Sequence, residues 1–128
     1  MTGIEEANVQ TVVAYVEAYN RKDIEGMMAC LADDVVFEHL TNGHPVMTLA
    51  GKPAFREQAE KAATLFSQRQ QTLRDRTVAD DVISVKIDYT ATLAVALNGK
   101  EVGEIISLQS HSVFVLQDRL ISKLIDIQ

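Results

Sequence analysis

The stretch VISVKIDYTATLAVAL, Val82 to Leu97, alternates apolar and polar side chains over most of its length. Successive side chains of a β-strand point to opposite faces of a sheet, so the alternation predicts a long strand with one apolar face. Asn98-Gly99 follows at once, and this dipeptide favours the tight turn of a β-hairpin. Residues 103–116 then predict a returning strand, and residues 120–127 the last one, after a turn at Gln117-Asp118-Arg119.

The preceding half of the chain predicts three helices and two short strands. The helices are predicted at 5–20, 24–32 and 53–67, and the strands at 35–40 and 46–49. Thr2 and Glu5 have the spacing of a capping box, Asp23 can cap the second helix, and Asn42-Gly43 predicts a turn. No helical pattern appears from Thr72 onward, so the second half is predicted to form four strands joined as a meander, and no βαβ rhythm is present. The class is therefore predicted to be α+β, with helices on one face of a curved, mainly antiparallel sheet.

Composition limits the classes of partner. The 128 residues suit one domain, 1–128, and the 12 basic and 18 acidic residues give a net charge of −6. Such a balance argues against binding nucleic acid or anionic membranes. A single cysteine, Cys30, excludes an internal disulfide and a cysteine-cluster metal site. No apolar run is long enough for a membrane helix and the N-terminus has no signal-peptide pattern, so a cytoplasmic location is expected.

Few residues suggest chemistry. Phosphate-binding and dinucleotide-binding glycine motifs are absent, so no cofactor is expected, and His39, His44 and His111 lie too far apart in the sequence to predict a metal site. His39 shares a strand face with Phe37, and it is either a general base or ligand partner in an apolar pocket, or a structural histidine bonded to backbone. Alternation places Asp126 with Leu124, Ser122 and Leu120, either as a solvated residue or as a buried acid of raised pKa.

Two tyrosines are the remaining candidates. Tyr15 and Tyr19 lie one turn apart on the first helix, and their hydroxyls either reach a ligand or only the edge of the core.

Three segments resemble a known superfamily. Tyr15–His39, YVEAYNRKDIEGMMACLADDVVFEH, resembles the start of ketosteroid isomerase and, more broadly, of SnoaL-like and nuclear-transport-factor-like proteins. Ser112–Ile121 resembles the hairpin of that superfamily, with Arg119 where glycine is usual, and Gly51–Phe55 resembles its entry to the third helix. The resemblance covers about residues 8–127. It implies a cone-shaped, six-stranded sheet wrapped over three helices, an apolar pocket inside, and a homodimer formed through the sheet.

The ketosteroid isomerase branch implies roles for three residues. Tyr15 falls at the tyrosine that donates to the developing oxyanion, and His39 falls at the aspartate that moves the proton. Ser112 falls at the protonated aspartate that is the second oxyanion donor. The tyrosine is thus kept, the base is replaced by another base, and the acid is lost.

The epoxide hydrolase branch gives a second comparison. Phe37, His39 and Asp126 fall at the tyrosine, asparagine and aspartate that hold the attacking water. Lys86-x-Asp88 loosely resembles the Arg-x-Asp pair of that branch, but its pattern favours an exposed cross-strand pair of charges over a site. Both comparisons place position 39 inside the pocket.

Three functions remain open at this point. The first is a small isomerase or cyclase that acts without a cofactor on an apolar carbonyl or polyketide-like compound, with His39, Asp126 and Tyr15 catalytic. The others are a module that binds an apolar molecule without turnover, and a structural dimer whose cavity is plugged by Phe37, Phe114 and Leu124. A hydrolase like the epoxide hydrolases is less favoured. The predicted ligand-binding residues are Tyr19, Phe37, Tyr89, Ser112, Phe114 and Leu124.

Overall fold

The computed structural model describes all 128 residues, and six strands form a single sheet against three helices. The elements are α1 (Gly3–Asn20), α2 (Ile24–Ala29), β1 (Leu31–Thr41), β2 (His44–Ala50), α3 (Lys52–Leu65), β3 (Phe66–Ala79), β4 (Val82–Leu93), β5 (Ile105–Gln117) and β6 (Leu120–Ile127). The strand order is β2-β1-β6-β5-β4-β3, and only β1 and β6 are parallel. The predicted α+β class, with its six-stranded and mainly antiparallel sheet, is confirmed. None of the helices is long and apolar enough to cross a membrane.

Local signals that were visible in the sequence start the helices. The Thr2 hydroxyl accepts a hydrogen bond from the Glu5 amide at 3.1 Å, and the Glu5 carboxylate accepts one from the Thr2 amide at 3.0 Å, which confirms the capping box. Asp23 accepts a bond from the Gly26 amide at 3.0 Å at the start of α2. These side chains satisfy amide groups that have no partner within the helix.

Several element boundaries differ from the predicted ones, including those at Leu31, Phe66 and Leu93. Leu31 begins β1 instead of continuing α2, because the Cys30 carbonyl already accepts a bond from the Ile121 amide and Leu31 pairs with that residue. Phe66 begins β3 and does not end α3. Strand β4 stops at Leu93, since its bonds to Gly103 and Glu104 close the ladder there, and Val95 beyond it is exposed.

The inner face of the sheet carries the core. Even-numbered residues of β5 face the helices, and Phe114 and Leu116 are buried there. A bulge changes the register between β5 and β6, so that Leu116 pairs with Ile121 while Val115 pairs with Lys123. Ile121 and Leu124 therefore both face the core, and the predicted grouping of Asp126 with Leu120 and Ser122 is wrong.

Candidate functional site

A mostly apolar cavity of about 430 Å³ lies between the inner face of the sheet and the helices α1 and α3. Its volume is within the range of small-molecule sites. All nine candidate residues from the sequence line it: Tyr15, Tyr19, Phe37, His39, Tyr89, Ser112, Phe114, Leu124 and Asp126. Phe37, Phe114 and Leu124 form walls and leave the cavity open, which disfavours the plugged cavity of a purely structural dimer.

Three polar residues of this wall are aligned across neighbouring strands. Asp126 of β6 is paired with His39 of β1 on one side and with Ser112 of β5 on the other. Paired residues on adjacent strands are about 4.8 Å apart in backbone position and share a face of the sheet. The parallel pairing of β1 with β6 thus brings together two residues from opposite ends of the sequence.

Asp126 is the acid of this row. The Ser112 hydroxyl donates a hydrogen bond to its Oδ1 at 2.7 Å. Burial raises the pKa of Asp126 above its usual value, while the Ser112 hydrogen bond and the nearby His39 act in the opposite direction. The net rise makes this carboxyl group a stronger base than an exposed aspartate.

His39 is next to Asp126 but forms no hydrogen bond with it. Its Nε2 is buried and has no hydrogen-bond partner in the protein. Leaving such a group unsatisfied costs about 1–3 kcal/mol, so an orphaned ring nitrogen in a cavity wall is typical of a site where a ligand supplies the partner. The alternative of a structural histidine bonded to backbone does not fit this environment.

The tyrosines of α1 contribute neutral hydroxyls. Tyr15 packs edge-on between Phe55 and Phe114, with ring centroids 6.3 and 6.0 Å away. Burial, followed by the negative charge of Asp126, raises the pKa of Tyr15 well above its ordinary value, so its hydroxyl stays protonated. The Tyr19 hydroxyl donates to that of Tyr89 at 3.0 Å, which ties α1 to β4.

Comparison with known proteins identifies the family. The sequence model of the SnoaL-like domain family matches residues 12–124, which is most of the chain. The chain belongs to the SnoaL-like family. No protein with curated annotation is significantly similar to it in sequence.

Solved structures share the fold of this SnoaL-like protein. A proposed polyketide cyclase from Xanthomonas campestris pv. campestris is 23% identical, with 98% of this chain and 93% of that chain covered and a TM-score of 0.81. A proposed SnoaL-like polyketide cyclase from Jannaschia sp. CCS1 is 15% identical, with 98% and 88% covered and a TM-score of 0.83. An epoxide hydrolase from M. tuberculosis is 14% identical, with 96% and 83% covered and a TM-score of 0.78. At these identities the likeness shows the fold alone.

Sequence reasoning missed Arg69 in this SnoaL-like cavity. Arg69 is on β3, only 4% exposed, and lines the cavity. Polar residues dominate both faces of β3, so no apolar alternation indicates which of its side chains point inward. The structure shows that Arg69, Gln71 and Leu73 alternate along the strand and that all three are at least partly buried.

Lys86-x-Asp88 forms the exposed cross-strand charge pattern that the sequence favoured, and its loose likeness to the Arg-x-Asp pair does not extend to a place in the pocket. Lys86 is exposed, and Asp88 forms an ion pair with Arg74 on the outer face of the sheet. Both alternate with Val85 and Ile87, which point into the core. The histidines likewise do not meet carboxylates in any group that could hold a metal ion.

Proposed function

We propose that this SnoaL-like protein is an enzyme of isomerase or cyclase type that moves a proton on an apolar carbonyl compound without a cofactor. One observation carries the proposal. His39, with an unpartnered Nε2, lies beside the Asp126 carboxyl group in the wall of an open, apolar cavity. A titratable pair in such a cavity is typical of a catalytic site.

The chemistry assigns one role to each group. His39 takes a proton from the carbon next to the substrate carbonyl, and the C–H electron pair forms an enolate whose oxygen accepts a hydrogen bond from Tyr15. His39 then returns the proton to another carbon of a conjugated enolate, which isomerises the substrate. Alternatively, the enolate carbon attacks a second carbonyl, and the oxygen of that carbonyl takes the proton from His39 as the ring closes. General base catalysis of this kind contributes about 10²–10⁴-fold.

Asp126 supports His39 in this scheme. Its ionised carboxylate stabilises the imidazolium that forms when His39 accepts the proton, and the Ser112 hydroxyl fixes the carboxylate in place. No hydrogen bond joins the two residues, so Asp126 acts through its charge. Its loss should therefore weaken proton transfer without abolishing it.

Structural neighbours support the substrate class. Two of the proteins that share the fold at high coverage are described as proposed polyketide cyclases, and polyketides carry several carbonyl groups. The apolar lining and the volume of the present cavity suit a compound of that kind.

Proton transfer can be tested with 2-indanone, a small apolar ketone with exchangeable hydrogens, incubated with the protein in D₂O and followed by NMR. We expect exchange above the background rate, loss of that excess in His39→Ala, and partial loss in Asp126→Asn. His44→Ala is the matched control, because His44 is exposed in the β1–β2 hairpin and should leave exchange unchanged. Unchanged exchange in His39→Ala would contradict the proposed enzyme.

A binding module without turnover is the second candidate. The observation in its favour is the lack of a direct hydrogen bond between His39 and Asp126, since an imidazole without an orienting partner serves equally well as a hydrogen-bond partner for a ligand. In that case the wild type binds ligands, His39→Ala binds them more weakly, and no deuterium exchange into 2-indanone occurs. An epoxide hydrolase is disfavoured, because Phe37 lacks the hydroxyl that would hold water and Lys86 lies outside the cavity.

A further inference from the structure

Arg69 has an unusual environment for a cation. Its Nε donates to the Tyr19 carbonyl at 2.9 Å, and its guanidinium carbon lies 3.7 Å from the centroid of the Tyr19 ring. These contacts hold the inner part of the side chain against α1. The two terminal nitrogens, Nη1 and Nη2, are buried and have no hydrogen-bond partner.

No carboxylate of the protein balances this buried charge. The ion pairs of the chain all involve other residues. Asp126, the acid in the cavity, is on β6, and β5 and β4 separate that strand from β3. Three strand spacings amount to about 14 Å along the sheet. A buried cation without a counterion is strongly destabilising. A ligand that brings a negative charge to Arg69 would therefore be bound tightly.

We propose that Arg69 binds the carboxylate of the ligand, and that the cavity therefore takes an apolar carboxylic acid. The two terminal nitrogens of a guanidinium form a planar fork that matches both oxygens of a carboxylate, whereas a single carbonyl oxygen would leave one nitrogen unpaired. Because Nε already donates a hydrogen bond to the Tyr19 carbonyl, Nη1 and Nη2 are the nitrogens that remain free to bind a carboxylate.

This anchor would fix the direction of the ligand. Arg69 and Asp126 both line the cavity, from strands that β4 and β5 separate, and Tyr15 and Tyr19 line it as well. A carboxylate at Arg69 places the apolar body of the ligand along the tyrosines and its far end near His39. The inference uses the cavity of the proposed function as the ligand site, but it does not depend on turnover.

The test compares 2-naphthoate with 2-naphthamide, which have similar shapes but differ in charge, by calorimetric titration near neutral pH. We expect the wild type to bind the acid at least tenfold more tightly than the amide, and Arg69→Gln to lose this preference. Arg76→Gln is the matched control, since Arg76 is exposed on the same strand and forms no ion pair. It should bind both compounds as the wild type does.

Arg69→Lys keeps the positive charge but lacks the two parallel donors of the guanidinium. It tests whether Arg69 binds the carboxylate if Arg69→Gln does not fold. We expect its preference for the acid to be reduced severalfold. The proposal is overturned if the wild type binds acid and amide equally, if it binds no acid, or if either variant keeps the full preference. A clear preference for the acid without any deuterium exchange into 2-indanone would instead contradict the proposed enzyme and leave the carboxylate site intact.

Discussion

The buried position of Asp126 lowers the stability of the protein at neutral pH. Its pKa in the folded protein is raised above the ordinary value of 3.8, so the folded state holds this proton more strongly than the unfolded state does. The free energy of unfolding therefore falls as the pH rises from below 3.8 through the folded pKa, and the loss is complete above it. An uncharged residue of the same shape should avoid this loss.

We expect Asp126→Asn to be more stable than the wild type at pH 7, by about 0.5–2 kcal/mol, because the amide oxygen still accepts the Ser112 hydrogen bond while the buried charge is gone. The gain should disappear near pH 3, where the wild-type carboxyl group is protonated in both states. Urea unfolding at the two pH values measures the difference. A variant that is less stable at pH 7 would mean that the charge is compensated more fully than the structure indicates.

Tyr15 offers a second prediction at the residue scale. Tyr15→Phe keeps the edge-on packing against Phe55 and Phe114, so the free energy of unfolding should change by less than about 1 kcal/mol. Affinity for 2-indanone should fall severalfold, because the variant cannot donate a hydrogen bond to the carbonyl. Thermal unfolding and calorimetric titration check the two parts. Wild-type affinity in Tyr15→Phe would remove Tyr15 from the proposed mechanism.

At the scale of elements, features that depend on residues close in the chain were predicted correctly, whereas features that depend on distant strands were not. The caps at Thr2 and Asp23 and the turn at Asn98-Gly99 depend on neighbours in the chain, and all three were predicted. The start of β1 at Leu31 depends on a distant strand, and a short apolar segment after a helix is ambiguous without that partner. The bulge opposite Val115 is set by strand pairing and was missed for the same reason.

The β5–β6 turn contains a strained residue that a substitution can test. Asp118 and Arg119 both have positive φ, 51° and 64°, in a hairpin position where glycine is favoured. A left-handed conformation costs an ordinary residue about 1–2 kcal/mol. We expect Arg119→Gly to raise the free energy of unfolding by up to about 1 kcal/mol, since the greater freedom of glycine in the unfolded state offsets part of the relief.

Asp118→Gly is the comparison for this turn. Aspartate adopts the left-handed conformation more readily than arginine does, so its replacement should gain less. The Thr11 hydroxyl donates to the Arg119 carbonyl at 2.8 Å, and this backbone contact remains available in Arg119→Gly. Chemical denaturation of the two variants measures both changes, and a destabilised Arg119→Gly would show that the arginine side chain has a stabilising role that outweighs the strain.

At the scale of the whole molecule, the site is a product of topology. His39, Asp126 and Ser112 come from three strands that are neighbours because β6 lies between β1 and β5. No local pattern connects these residues, and the sequence placed His39 and Asp126 in a pocket only through resemblance to related proteins. Arg69 matched no motif of that resemblance, so its position in the cavity wall became visible only with the strand register.

The outer face of the sheet supports the last prediction, a homodimer. Val113 and Val115 alternate with the buried Phe114, Val113 is paired with Ile125 of β6, and Ile105 is 73% exposed on the same face of β5. An apolar patch of this kind on a sheet is typical of an interface. Sedimentation at tens of micromolar should therefore give a dimer.

Val113→Lys should dissociate this dimer, because a lysine in the middle of the apolar patch would be buried without a partner. His111 shares this outer face and is bonded to Ser84, so it would lie within or beside the interface. Val102→Lys is the control: Val102 is 65% exposed in the loop before β5, where an added charge stays in water. A monomeric wild type, or a Val113→Lys variant that sediments as the wild type does, would rule out assembly through this face.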